Sequence, residues 1–422
     1  MTVQLSQLDN GLRVVTQQMP HLHSVSLGVW VGVGARDESA REHGICHLLE
    51  HMAFKGTATR SARQIAEEIE QVGGDMNAAT GLEMTAYYVR VLEGDVPLGL
   101  DVLADIVQNS VFDVEELALE KDVILQEIAG IEDAPEEIAY DLALDAAFSG
   151  QSVGRPVIGT PDSVQAIAAD DLRSHLRQRY VAENMVVAAA GAVDHETIVR
   201  HVGALFSGLN QSAQVTGERA RFVGGVRSSR KGFEQCHLVV GFPGPSYRDD
   251  EFMESQVFSG LLGGGMSSRL FQEAREDRGL CYSIYSSAWG LRDGGVFGIH
   301  AATGRRMVGE LSKVVAAELK KCAAGELTER EVSRAKAQLK AGLLMSLESS
   351  SVRAEQMARQ LLSLDRLVEV EELLSKIDGV TPDRLRDFAG RLVATGQPAV
   401  AVVGAGGRSQ RLADEVSQLF AA

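Results

Sequence analysis

The 422-residue chain is 45% apolar and 23% charged, the proportions of a globular protein, which excludes wholesale disorder and collagen-like repetition. Its length exceeds one ordinary core, so two or more domains are expected. With 58 acidic against 41 basic residues, the formal charge of −17 argues against a general nucleic-acid binder and is compatible with a cationic partner. In chain order, Leu12 to Val15 and Ser24 to Gly34 predict strands, with Asn10-Gly11 offering a hairpin turn. A helix follows from Gly44 to about Phe54, stopped by Gly56. Ser61 and Gln64 form a capping box for a second helix reaching about Val72. Strands over Met76 to Thr80 and Thr85 to Val91 precede long helical patterns over Val96 to Asn109 and Val114 to Gly130. Consecutive strands without regular helical alternation predict an α+β fold with mainly antiparallel sheets.

A second pattern is internal. Leu172, Arg173, Gly191 and Ala192 recur as Leu385, Arg386, Gly404 and Ala405, each at an offset of 213. Both segments read as helix, apolar strand, glycine turn and helix ending in Leu-Phe. Such a period is far longer than that of a solenoid and predicts a duplicated domain. The polar, Gly-rich stretch around residues 208–225 lacks helical or strand period. The expected organisation is therefore a first domain over 1–212, a linker over 213–225 and a homologous domain over 226–422.

Location follows from what the chain lacks. The apolar run Ser24 to Ala35 is twelve residues, too short to span a bilayer. No basic stretch leads into an apolar block at the start, so no signal peptide is visible. Cys46, Cys236, Cys281 and Cys322 have no paired spacing, which suits a reducing compartment, and a cytoplasmic location is expected.

His47, Glu50 and His51 are spaced H-x-x-E-H. On a helix, the two histidines four apart project from one face and can grip one metal ion. Glu50 borders that face and can reach a metal-bound water, the arrangement of an inverted zincin. The apolar neighbours Ile45, Leu48, Leu49, Met52 and Phe54 predict a largely buried helix, where polar groups need partners. His43 is four before His47 but precedes Gly44 and is expected to be a non-ligand. A catalytic zinc site needs a third protein ligand. Glu120 and Glu127 lie two turns apart on the later acidic helix. Glu127 sits amid Val123, Ile124, Leu125, Ile128 and Ile131, where a carboxylate without a cation would be costly. Two nucleotide readings fail. Gly263 to Gly265 lacks a following Gly-Lys-Ser/Thr, and Gly404 to Gly407 comes too close to the last residue for a ribose-binding acid.

The run from Gly44 to Thr57, with Glu127 lying 76 residues after His51 inside Glu-Lys-Asp-Val-Ile-Leu-Gln-Glu, resembles the pitrilysin/insulysin family of zinc peptidases. The similar branch contains the mitochondrial processing peptidase and its bacterial relatives. The resemblance implies that His47, His51 and Glu127 bind one Zn2+ per chain and that Glu50 is the catalytic base. It implies a further catalytic, supporting role for Glu120. Asn77 and Ala78 match positions that grip substrate backbone at a sheet edge, and Arg275 and Tyr282 match a substrate-holding pair in the second domain. The implied activity is zinc-dependent endopeptidase action on peptides or unfolded polypeptides. Non-catalytic relatives that scaffold respiratory or processing complexes typically lose the metal residues, all of which are present here. Longer relatives carry four such domains in one chain, so this two-domain chain is expected to form a homodimer with a closed chamber. A heterodimer with an inactive homologue is the other arrangement the family allows. No nucleic acid and no membrane span are expected.

Overall fold

Asn10 and Gly11 turn the chain between two antiparallel strands, β1 (Val3–Gln7) and β2 (Arg13–Gln18). β1 was not expected: its short, mostly exposed VQLSQ carries too little apolar pattern to announce a strand. The computed structural model describes residues 3–212 and 217–420. The chain continues through β3 (Ser24–Val31), α1 (Ile45–Met52), α2 (Ala62–Gln71), β4 (Asp75–Thr80), β5 (Thr85–Leu92), α3 (Val96–Gln108) and α4 (Val114–Glu132). Ser61 caps α2 reciprocally with Gln64, as the capping box predicts. Then come α5 (Pro135–Ala147), α6 (Pro161–Ala166), α7 (Ala169–Arg179), β6 (Met185–Gly191) and α8 (His195–Leu205). Among the described residues the first sheet has the order β1-β2-β6-β3-β5-β4, antiparallel except for β2 beside β6.

The later part follows the same plan with β7 (Gly225–Gly244), α9 (Phe252–Gly263), a π-helical turn (Phe271–Glu276), β8 (Cys281–Leu291) and β9 (Gly294–Thr303). It continues with α10 (Val308–Ala323), α11 (Glu329–Ser346), α12 (Ser350–Leu364), α13 (Val370–Asp378), α14 (Pro382–Val393), β10 (Ala399–Ala405) and α15 (Ser409–Gln418). The long β7 acts as two legs. Residues Gly225–Ser228 run parallel to Ala399–Val402, whereas His237–Gly241 run antiparallel to the same strand. β10 thus sits between a parallel and an antiparallel neighbour, as β6 does. The two glycines ending these strands make the likeness concrete. Gly191 (φ +128°) and Gly404 (φ +98°) each approach a backbone carbonyl so closely that a Cβ would lie 2.2 Å from it, Ser24 O and Gln235 O respectively. The mixed α+β architecture with two similar sheets agrees with the reading of the sequence.

The chain divides into two units, and they do not follow the expected boundaries at every point. Met1–Ile128, Pro156–Glu218 and Met345–Leu367 form one, and Ala129–Arg155, Arg219–Leu344 and Val368–Ala422 the other. Helix α12, from the second half, therefore belongs to the first unit. Its Ala354, Met357, Ala358 and Leu361 pack on Val15, Trp30, Val186, Ala188 and Ala190, one face of the first sheet. Helix α5, from the first half, lays Ala139 and Ala143 on Val239, Ala401 and Val403, one face of the second sheet. The physical reason is two-sided burial. β6 and β10 are buried at every residue, so each sheet needs helices on both faces. Of the linker expected over 213–225, residues 213–216 lie outside the described residues; 217–224 form neither helix nor strand.

Candidate metal centre

Helix α1 starts abruptly. Gly44 takes φ +92°, and a Cβ there would lie 3.0 Å from Gly159 Cα and from Ile158 O. The buried carboxylate of Glu38 accepts from the Gly44 and Cys46 N–H groups at 2.8 and 2.9 Å, placing negative charge at the positive end of the helix. Ile45, Cys46, Leu48, Leu49 and Met52 are buried, which fixes the rotation of α1 about its axis. His47, Glu50 and His51 are left on its half-buried side. His43 is buried and donates from Nε2 to Pro156 O at 2.8 Å, a core partner rather than a ligand geometry.

The structure brings His47, His51 and Glu127 together. Their ligand atoms lie within 4.8 Å of one another. Glu127 Oε2 is 3.8 Å from His47 Nε2 and 3.7 Å from His51 Nε2. Burial on α4 differs from expectation. Its buried stripe is Leu117, Glu120 and Ile124, and Glu127 follows where the helix leaves the core, with its side chain 41% exposed. The costly buried carboxylate is Glu120. It accepts from His51 Nδ1 at 2.9 Å and from Lys55 Nζ at 2.6 Å. Burial alone would raise the Glu120 carboxyl, but the bonds from Lys55 and His51 hold it below the usual carboxylate range. An ionised carboxylate only accepts, so His51 Nδ1 carries a proton and Nε2 is the nitrogen that faces Glu127. Burial, and then His51, push His47 down to about 4 against the pull of Glu127, leaving a neutral imidazole at physiological pH. Two imidazoles and a carboxylate converging in this way fit a zinc ion with an open fourth position.

Glu50 stands apart from this bonding. Among the described residues nothing donates a hydrogen bond to its carboxylate, although it is half-buried and close enough to Tyr87 to raise that phenol after burial has done so. Its oxygens are therefore open to accept a hydrogen bond from another group.

Asn77 and Ala78 lie on β4, the last strand of the first sheet, paired among the described residues only with β5. β4 packs against α1, where Thr80 Oγ1 donates to Cys46 O at 3.4 Å. Asn77 Oδ1 accepts from the Ala78 N–H at 2.8 Å. The unpaired side of β4 is a template for an added strand. Arg275 and Tyr282 belong to the second unit. The Arg275 guanidinium lies 4.5 Å from the Phe271 ring centre and 6.0 Å from that of Tyr282. A bulge between Cys281 and Ser283 takes Tyr282 out of the β8–β9 register and leaves it 73% exposed. Two supporting residues escaped the sequence reading. Glu38 gives no signal, because it caps α1 from outside the helix. Lys55 does: it stands four residues after His51, one turn along.

Matches to known proteins place the chain in a family. Residues 13–161 match the family model described as insulinase, peptidase family M16, and residues 166–339 match the peptidase M16 inactive domain. The chain belongs to peptidase family M16. It is 40% identical to an uncharacterized zinc protease of Streptomyces coelicolor over 96% of this chain and 90% of that protein. An uncharacterized zinc protease of Bacillus subtilis is 36% identical over 91% of this chain and 94% of that one. Among solved structures, a protease from Helicobacter pylori superposes with a TM-score of 0.88 at 23% identity, covering 95% of this chain and 99% of its own. A peptidase M16 inactive domain from Pseudomonas fluorescens gives 0.88 at 20% identity, over 96% and 98%. Both share the fold. The division of family M16 into a peptidase and an inactive domain is visible in the residues: α9, the first helix after β7, carries no histidine where α1 carries two. Among the described residues no helix is long and apolar enough to cross a membrane.

Proposed function

We propose that this chain is a zinc-dependent endopeptidase that hydrolyses peptides or unfolded polypeptides inside a closed homodimeric chamber. The observation that carries the reading is the convergence of His47, His51 and Glu127 within 4.8 Å, with the unbonded Glu50 on the same helix as the two histidines. His47, His51 and Glu127 hold one zinc. Bound there, zinc supplies a Lewis acid that polarises the scissile carbonyl and lowers the pKa of water.

The chain's own residues do the rest. Glu50 takes a proton from the attacking water and passes it to the leaving amine nitrogen, a role worth about 10²- to 10⁴-fold in rate. Glu120 orients His51 through Nδ1 and is itself held by Lys55. The substrate adds as a strand along β4, where the backbone at Asn77 and Ala78 offers hydrogen bonds to its main chain. Arg275 and Tyr282 hold the substrate through a cation and an exposed phenol. One sequence holds both the zinc set and this pair, so a two-fold homodimer forms two equivalent sites. The twelve acids against one base over Asp113 to Asp145 favour cationic peptides.

The test is digestion of a mixed peptide library, read by mass spectrometry, with and without a chelator. Chelator-sensitive cleavage at internal bonds is expected. No cleavage by a preparation carrying stoichiometric zinc would overturn the reading, and a preparation that holds no zinc would point to a scaffold.

A further inference from the structure

The second unit contains another convergence of metal-binding groups. Glu136, His237 and His300 bring their ligand atoms within 4.8 Å of one another. They are distant in sequence, and the register explains how they meet. On the β7–β9 ladder Val239 pairs with His300 and His237 with Ala302, so the two histidines are diagonal neighbours on one face. Tyr285 pairs with His300 on β8–β9 and shares that face. Leu238, Val240 and Phe242 alternate onto the opposite face, inside the main core of the unit. Helix α5 covers the histidine face and presents Glu136 and, one turn later, Tyr140.

The contacts are close. His237 Nδ1 lies 3.2 Å from His300 Nε2, and His300 Nε2 lies 3.9 Å from Glu136 Oε1. Two nitrogens bound to one tetrahedral zinc lie about 3.3 Å apart, so the pair already has the spacing of a shared ligand set. Tyr285 Oη donates to Glu136 Oε1 at 2.7 Å and is bonded in turn to Tyr140 Oη at 2.5 Å. Tyr140 stacks on His300 with ring centres 5.4 Å apart at 18°. A carboxylate oriented by a phenol and an imidazole fixed by a stacked ring are the kind of outer support that metal ligands carry.

His237 and His300 are 5% and 2% exposed. Among the described residues, His300 Nδ1 has no hydrogen-bond partner. Burial pushes His300 down to about 4 against the pull of Glu136, and lowers His237 as well. Glu136 is half-exposed and supplies the negative charge at a solvent-facing entrance.

We propose that Glu136, His237 and His300 form a second site for a divalent transition-metal ion, independent of the one on α1, with Tyr285 orienting the carboxylate. Imidazole with carboxylate is the donor set of zinc and its neighbours, and not of calcium or magnesium. An ion held there pins the first turn of α5 to β7 and β9 of the same unit. This site does not depend on peptidase activity.

Zinc alone is the probe, on the full-length chain with His47→Ala and His51→Ala to remove the α1 site. Equilibrium dialysis followed by elemental analysis should find about one zinc per chain, and cobalt should give the visible bands of a tetrahedral ion. Adding Glu136→Gln removes a ligand and should weaken zinc binding by about tenfold or more, at least the loss that follows removal of an outer partner. Glu136 is half-exposed, so this variant tests the ligand without emptying the core. His237→Gln on the same background should abolish the cobalt bands. If the His47→Ala/His51→Ala chain keeps its fold by circular dichroism yet binds no zinc, the cluster is a hydrogen-bonded histidine pair and the proposal fails. Zinc binding that survives Glu136→Gln and His237→Gln unchanged would place the ion elsewhere and also overturn it. Neither result bears on the α1 site, which is read from the unsubstituted chain.

Discussion

Replacing Glu120 tests the most specific feature of the α1 site. Its side chain is 8% exposed and makes two charge-assisted bonds, to His51 Nδ1 at 2.9 Å and Lys55 Nζ at 2.6 Å. In Glu120→Gln an amide oxygen still accepts from one donor, but the negative charge that holds the His51 Nδ1–H is gone. In Glu120→Ala both bonds go, and the Lys55 ammonium is left beside an imidazole that must bind a cation. Outer partners of this type are worth about 10- to 100-fold in metal affinity, or about 1.4–2.7 kcal/mol. Zinc affinity should therefore fall in the order wild type, Glu120→Gln, Glu120→Ala, with the alanine variant near the larger loss. Stability of the zinc-free chain should also fall by about 1–3 kcal/mol in Glu120→Ala, because a hydrogen bond to a charged group is worth about that much. Competition against a chromophoric chelator at neutral pH measures the affinity, and urea unfolding in a chelating buffer measures the stability. If Glu120→Ala binds zinc within about threefold of wild type while remaining folded, Glu120 does not orient His51 toward a metal, and the assigned ligand geometry is wrong.

Glu50→Gln should lower peptide hydrolysis by about 10²-fold or more while zinc content stays at the wild-type value; retention of more than about a tenth of the activity would remove Glu50 as the base. Turnover of Arg/Lys-rich peptides should fall with added salt more steeply than that of neutral peptides, because of the acidic run from Asp113 to Asp145, and equal slopes would refute steering. Mixing Glu50→Gln chains with Arg275→Ala/Tyr282→Ala chains, each poor alone, should restore activity if the two sets meet across a dimer; no recovery after verified subunit exchange would end that proposal. In the second unit, Glu331 tests acid stability. Burial would raise its carboxyl, but bonds from Arg269 at 2.7 and 3.0 Å and from Thr328 win and hold it down at about 2 from an ordinary value of 4.5. A depressed carboxyl contributes stability that is fully present above about 4.5 and lost as pH falls toward 2. The full shift would be worth about 3 kcal/mol, and with the side chain 18% exposed about 2 kcal/mol is the reasonable expectation. Glu331→Gln should flatten the acid limb of a pH-dependent unfolding series, and an unchanged limb would refute the assignment.

How far the sequence carried the reading depends on whether each feature is local. His47, Glu50 and His51 are set by one helix, whose 3.6-residue period and apolar neighbours already fix which side they face. The Ser61 capping box and the Asn10-Gly11 turn are likewise complete within a few residues. Glu127 was a candidate from its apolar neighbours and its role as ligand came from the resemblance, but the burial expected of it fell instead to Glu120. The periodicity of α4 marks a stripe but not the point where the helix runs off its core. The exchanged helices mark the next limit. The continuous apolar runs of β6 and β10 imply helices on both faces of each sheet, and the alanines of α5 and residues 354–361 of α12 offer narrow apolar stripes. Nothing in a stripe says which of two similar sheets it will cover. That choice decides chemistry as well as packing. Had α5 stayed with the half of the chain that precedes it, His237 and His300 would lose Glu136, the carboxylate that completes their cluster among the described residues. The cluster in the second unit therefore exists only because a helix crosses the expected boundary, and residues brought together by such a crossing have no spacing by which a motif could announce them.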